Sequence, residues 1–463
     1  MSTLKVNVIQ TNTGTGVDFN SPLETVPSLD VTGSVTVGGN ITGNVTGDLT
    51  GNVTGNVNST GVSTFSNIRV TGGTIAGVST AGITTVYANS INNGQLGGSR
   101  NIIINGSMVV NQRGFTGTAG TTTSGAYTTD RFALAHSHDG VVSVGQTTMN
   151  STVGGNAYAD GFQSALILRV TTADSSLGAA QVQVINQKIE GYNLQGIKKG
   201  TANAQPVTLS FWVRSTTTGT YVVALYDNDN TRSVSQAYTI NSANTWEKKV
   251  ITFPADTTGV FDNDNALSLY VEWGLAAGSN YSSGTLNTSW ASYVSSNYLV
   301  GQTNLLATAG NDFFLTGVQL EVGSQASEFE RRSFGDELAR CQRYYSKNSN
   351  PDVVATVGAP YLTTGMFLAG TANAYVANNA YIPTIEFPVT MRTAPSTVTF
   401  FPTSLSGTTT GQWSLYNSAG TSWVTATMGL QSATATGFNA NMTGTWSAGS
   451  NLTYGAWTAS AEL

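Results

Sequence analysis

Short apolar runs recur along this chain, separated by Gly, Asn, Asp and Ser. ALILRV (165–170), VTLSFWV (207–213), YVVALY (221–226), WEKKVITF (246–253), LSLYVEW (267–273) and FFLTGVQLEVG (313–323) are rich in β-branched and aromatic residues. They alternate, or run apolar, between turn signals. That pattern predicts β-strands, and their spacing suits a β-sandwich or jelly roll over residues 99–332. RNIIINGSMVVNQRG sets two apolar runs around Asn105-Gly106, the pair that a type I′ turn favours, and predicts a hairpin.

Residues 39–57 follow a different rule. GNITGNVTGDLTGNVTGNV repeats every four residues: Gly, then Asn or Asp, then an aliphatic residue, then Thr. Four is a multiple of the strand period of two, so Ile41, Val45, Leu49, Val53 and Val57 share one face of an extended chain. So sparse a stripe cannot be covered by its own chain. Three parallel copies would cover it, with Gly allowing close backbone approach. Residues 31–98 are therefore predicted to form a trimeric fibrous β shaft, with those five aliphatic residues as trimer contacts. Residues 1–30, with Pro22 and Pro27 and few apolar positions, cannot bury a core and are expected to order on a partner.

The one strong helical signal is SFGDELARCQRYYSK, within a predicted collar at 333–349. Ser333 followed by Asp336 resembles a capping box, and Asp336 and Glu337 precede Arg340, Arg343 and Lys347 in the order the helix dipole favours. Phe334, Leu338, Cys341 and Tyr345 fall on one stripe. The first three are predicted trimer contacts. Beyond it, WSLYNSAGTSWVTATM reads as a hairpin around Asn417–Gly420 and NLTYGAWTASAEL as a closing strand. The predicted fold is thus mostly β: shaft, jelly-roll body, short helical collar and a C-terminal β-sandwich tip at 350–463.

Composition sharpens this. Of 463 residues, 40% are hydrophobic but only 10% are charged, and the net charge is -6. Too few basic residues cluster to neutralise a nucleic-acid backbone. No apolar stretch is long enough to suggest membrane insertion, and MSTLKVNVIQ does not read as a secretory leader. One Cys forms no intrachain disulfide. Residues 353–463 carry only Glu386, Arg392 and Glu462 as charges, yet hold four of the eight Trp. Aromatics amid Asn, Ser and Thr suit neutral ligands, since sugar C–H faces stack on rings and amides pair with hydroxyls. Trp413, Tyr416, Trp423, Trp446, Tyr454 and Trp457 are the glycan-binding candidates.

The search for reactive chemistry is sparse. His136 and His138 are the only histidines, and Asp227/Asp229 and Asp262/Asp264 sit in the twin turns YDNDN and FDNDN. These are weak metal candidates, because neither turn has a full calcium loop and Asn and Asp favour turns anyway. No GxSxG, P-loop, HExxH or dinucleotide fingerprint occurs. Neither an enzyme nor a cofactor is expected.

INGSMVVNQRG, YTTDRF, QKIEG, SFWVRS, TWEKKVITFP, GVQLEVGS, FERRS and ELARCQRYY occur in that order between residues 104 and 345. This set resembles a family of tailed-bacteriophage fibre proteins with a central jelly roll similar to carbohydrate-binding modules. The glycine repeat resembles fibre proteins of marine cyanophages, and the ending TASAEL resembles fibre tip domains. The resemblance implies a homotrimer on the virion, assembled in the host cytoplasm. It would join a tail or baseplate protein through residues 1–30 and touch host polysaccharide or lipopolysaccharide. The implied function is host recognition and adhesion. The alternatives are a structural connector or head fibre without receptor contact, or a polysaccharide-degrading tailspike.

Overall fold

The computed structural model describes residues 100–115, 123–358, 368–376, 378–402, 409–417, 422–446 and 449–463. The attachment segment and the shaft, with Ile41, Val45, Leu49, Val53 and Val57, lie outside the described residues. All that follows belongs to one compact unit, Thr84–Leu463.

Eleven strands come first: β1 (Phe132–Ser137), β2 (Val141–Thr148), β3 (Ser164–Thr172), β4 (Val182–Glu190), β5 (Val207–Ser215), β6 (Gly219–Asp227), β7 (Arg232–Ile240), β8 (Glu247–Phe253), β9 (Leu267–Ala277), β10 (Ala291–Ser292) and β11 (Asp312–Val322). The six runs from ALILRV to FFLTGVQLEVG fall on β3, β5, β6, β8, β9 and β11. They form a six-stranded sheet, β1-β4-β9-β6-β7-β10, and a five-stranded sheet, β2-β3-β11-β5-β8, with all pairings antiparallel. Leu209, Phe211 and Val213 alternate inward along β5, and Val223, Leu225, Val271 and Trp273 face the same core from the other sheet. The Trp273 ring lies 6.2 Å from Phe132 and 5.9 Å from Phe211. Each such large side chain stabilises the fold by about 1.5–3 kcal/mol on burial.

The hairpin expected at Asn105-Gly106 is not formed. Ile103 and Met108 are core plugs in an irregular segment, and the Gln187 side-chain amide takes the place of a strand partner. It accepts from Ile104 N–H and donates to Ile104 C=O, both at 2.8 Å. Asn105 does adopt the left-handed backbone its residue type tolerates, with φ 61°. Gly106 is required for contact rather than turning: a Cβ there would lie 2.0 Å from Val318 O.

The helix spans Phe334–Gln342, and Ser333 Oγ accepts from Asp336 N–H as its cap. It ends earlier than the charge pattern suggests. Lys347 is not in its last turn but in β12 (Tyr345–Lys347), because this segment pairs with a strand near the end of the chain. The apolar stripe is also corrected. Cys341 is fully buried against Ile104, Val110 and Tyr344 of its own chain, with Leu338 beside it, so Cys341 is closed to a sister chain. Burial raises the Cys341 thiol pKa, as expected of a small core residue. Phe334 remains 53% exposed.

The remaining strands are β13 (Leu368–Val376), β14 (Asn379–Glu386), β15 (Thr397–Phe401), β16 (Gln412–Asn417), β17 (Ser422–Ala433), β18 (Gly437–Thr443), β19 (Gly449–Tyr454) and β20 (Ala456–Ser460). They do not make the expected sandwich. Six close into a barrel, β13-β14-β18-β17-β16-β19, and β12-β20-β15 form a small separate sheet. The predicted hairpin is present, with Tyr416 opposite Trp423. The predicted closing strand is split at Gly455, where a Cβ would lie 2.0 Å from Trp413 Cδ1. Trp413 Nε1 donates to Ala456 O at 2.9 Å and anchors the break. Among the described residues, no helix is long and apolar enough to cross a membrane.

Candidate functional site

The outer face of the six-stranded sheet carries a groove. In a strand, side chains alternate between faces, so the residues between the core positions of β4, β6 and β9 point outward. Two rows result. Lys188, Tyr270 and Tyr226 are register neighbours in one; Ala133, Asn186, Glu272 and Ala224 are neighbours in the next. Ala133 and Ala224 are short, so Asn186 and Glu272 lie low between taller residues. Tyr293 and Tyr298, from the connection that follows β10, complete the wall. The groove holds about 510 Å³, within the range usual for ligand sites.

The tyrosines support one another. Tyr226 lies 5.8 Å from Tyr270 and 5.2 Å from Tyr293, and Tyr293 lies 5.2 Å from Tyr298. Tyr298 Oη donates to Glu272 Oε2 at 2.5 Å. Burial raises the Glu272 carboxyl pKa, against the lowering effects of Tyr298, Asn186 and Lys188. Burial, with neighbouring Tyr281 and Glu272, pushes the Tyr293 hydroxyl up to about 12. Asn186 is only 2% exposed, and its Oδ1 has no hydrogen-bond partner among the described residues. A buried unpaired acceptor costs about 1–3 kcal/mol. Asn186 is among the residues that line the groove, beside Glu272. Aromatic faces, amides and a carboxylate are the groups that hold a sugar ring. Glu272 is the one acid among the residues lining the groove.

None of these residues stood out in the sequence. A signal does exist: YVVALYDN and LSLYVEW carry Tyr, Asn or Glu at outward positions 226, 228, 270 and 272, between apolar inward ones. Strand alternation identifies the face, but nothing local says that the faces adjoin.

The predicted glycan residues separate into two groups. Trp413, Trp446 and Trp457 are buried in the barrel core. Trp446 is thereby an anchor rather than an exposed stacking platform. Tyr416, Trp423 and Tyr454 are half-buried and meet on β16, β17 and β19, with Trp423 5.3 Å from Tyr416 and 4.9 Å from Tyr454.

The metal candidates are engaged otherwise. Asp227 is fully buried and accepts from the Lys199 ammonium at 2.5 Å. Lys199 also reaches Asp256 at 3.1 Å and the carbonyls of Thr258 and Gly259. An ammonium thus occupies the centre of the oxygen set. Asp229 accepts from Asp262 N–H at 2.9 Å and so ties the twin turns together, while Asp264 caps Ala266 N–H. His136 and His138 do come together, with ring centroids 4.8 Å apart, and His138 pairs with Gln183. Among the described residues, no group of three or more His, Cys, Asp or Glu is placed to hold a metal.

No protein-family model matches this chain, and no curated protein matches it. Distant similarity to solved structures covers part of it. The carbohydrate-binding module TmCBM61, solved with beta-1,4-galactotriose, is 12% identical with TM-score 0.24, covering 48% of this chain and 99% of that one. The family 11 carbohydrate-binding module of Clostridium thermocellum, solved with a mixed-linked tetrasaccharide, is 10% identical with TM-score 0.23, covering 42% and 91%. The enzymatically active domain of tailspike protein 4 of bacteriophage CBA120 is 13% identical with TM-score 0.25, covering 48% of this chain. The match spans 21% of that tailspike chain.

Proposed function

We propose that the protein binds carbohydrate in the tyrosine groove of its jelly roll, and that it does so as a homotrimeric phage tail fibre adhering to host surface glycans. The observation that carries the binding is the pairing of buried Asn186 Oδ1, unpartnered among the described residues, with Glu272 on a floor walled by Tyr226, Tyr270, Tyr293 and Tyr298. The fibre role draws on the period-four repeat and on the ordered motif set between residues 104 and 345. Residues 1–30 would join a tail or other virion protein. Three chains per fibre and several fibres per particle would turn weak sugar contacts into stable adhesion.

The test is calorimetry of the purified full chain with host lipopolysaccharide and capsular polysaccharide. Binding that is lost in Tyr270→Ala and reduced in Glu272→Gln supports the groove. Binding unchanged in both variants overturns it. Light scattering decides the trimer. Hydrolysis by a carboxylate pair needs a second acid, so the polymer is expected to remain intact. Release of reducing ends would instead make the protein a tailspike.

A further inference from the structure

A second hollow, of about 470 Å³, lies where the segment after the helix meets the barrel. It shares no lining residue with the tyrosine groove. Ile385, Pro388, Trp413 and Trp457 give it an apolar wall, and Gln112 and Glu386 are among its polar lining.

Most polar groups around it are already used. The Lys347 ammonium donates to Gln112 O at 2.7 Å, Pro351 O at 3.1 Å and Val353 O at 2.5 Å. That accounts for all three of its donors. Asn348 donates to Gly455 O at 3.0 Å and accepts from Trp457 N–H at 2.8 Å. Beside the Gln342 and Asn350 side chains, which also line the hollow, Gln112 and Glu386 each present an acceptor. Gln112 is 1% exposed; its Nε2 is committed to Asp130 and to Tyr345 O, and its buried Oε1 has no partner among the described residues. The Glu386 carboxylate stands exposed at the rim.

A ligand for this hollow must therefore bring donors to two acceptors and an apolar face to Ile385, Pro388 and Trp457. A purely apolar ligand would leave Gln112 Oε1 unpaired, and an anion would meet Glu386. We propose that the hollow is a second carbohydrate site, taking one neutral sugar ring. Its hydroxyls donate to Gln112 Oε1 and Glu386, and its C–H face lies against the apolar wall. Trp413 of the barrel and Trp457 of the small sheet thus serve a sugar as wall rather than exposed platform. This reading shares only the ligand class with the groove, and the two sites fail separately.

The test is saturation-transfer NMR on the full chain carrying Tyr270→Ala, which removes binding in the groove, with the methyl glycosides of glucose, galactose, mannose and N-acetylglucosamine as probes. At least one glycoside should give a signal. Ile385→Trp fills the hollow and should abolish it. Glu386→Gln, an exposed change that leaves folding intact, should weaken binding about tenfold, since the hydrogen bond to this acceptor loses its charge assistance. The proposal is overturned by absence of signal with every glycoside, by a signal that survives Ile385→Trp, or by an affinity that Glu386→Gln does not alter.

Discussion

The Glu462 carboxylate pairs with the guanidinium of Arg131, which is fully buried in the jelly roll. Arg113 reaches the same carboxylate at 3.0 Å, and the Tyr344 ring stacks on Arg131 at 3.4 Å. Beside it, Tyr127 Oη and Lys188 Nζ donate to Leu463 O at 3.0 and 2.5 Å. The segment following β20 is thus held by the jelly roll, and Lys188 belongs both to that anchor and to the groove. Removing the acid leaves two buried cations with poor compensation, which costs about 3–5 kcal/mol for a buried pair. Glu462→Ala should lower the urea midpoint substantially, whereas Glu386→Gln should leave it in place. An unchanged midpoint in Glu462→Ala would show the pair to be energetically idle.

Lys199 plays a similar part at the twin turns. Methionine keeps the length of its side chain but removes the charge that Asp227 and Asp256 share. Lys199→Met should lose about 3–5 kcal/mol, because Asp227 is left buried without its cation. Asp227→Asn in the Lys199→Met background should recover part of that loss, since the uncompensated carboxylate is then gone. Urea melts of the two variants check the order.

The proposed glycan binding in the groove is expected to depend on pH through Glu272. Its folded pKa is raised by burial. A sugar hydroxyl donates best to the ionised carboxylate, so affinity should fall as pH drops through that raised pKa. Glu272→Gln should flatten the profile. The sign for stability is the opposite. A raised folded pKa gives stability that is fully present below the unfolded value of 4.5 and is lost as pH rises through the folded one. Titration calorimetry and melts across the acidic range separate the two effects.

Lys347 should titrate unusually early. Burial lowers its pKa from 10.5 to about 8, with Asp130 and Asp352 opposing. Between pH 8 and 10.5 the unfolded chain then holds more protons than the folded one, so this residue makes stability rise with pH across that window. Heteronuclear NMR of the Lys347 Cε resonance should show a midpoint near 8. The stability of the native chain relative to Lys347→Met should rise over the same window and be flat below it. A midpoint near 10.5 would mean that water reaches the ammonium.

The jelly-roll strands were legible because their signal is local. Alternation in VTLSFWV or LSLYVEW depends only on neighbouring residues, and burial on one face enforces it. The misread segments are those where a distant group replaces a local partner. Gln187 satisfies Ile104 in place of a second strand, so the Asn105-Gly106 turn makes no hairpin. Pairing with β20 draws Tyr345–Lys347 out of the helix. Of the tryptophans, composition marks a ligand-suited region, but burial sends Trp413, Trp446 and Trp457 inward and leaves Tyr416 and Trp423 half-buried on the barrel.

By itself the sequence determined that this is a mostly β chain, six of the eleven strands of the body, which face of those is apolar, and where the capped helix starts. These depend on side-chain alternation and on capping within a few residues. Only the tertiary structure decided that the C-terminal strands close into a barrel, that Glu462 is an anchor, and that Asn186, Glu272 and four tyrosines share one groove. Those residues lie on strands far apart in sequence and meet because β4, β9 and β6 are neighbours in the sheet. Strand order is settled by packing of the whole core, and no local pattern carries it.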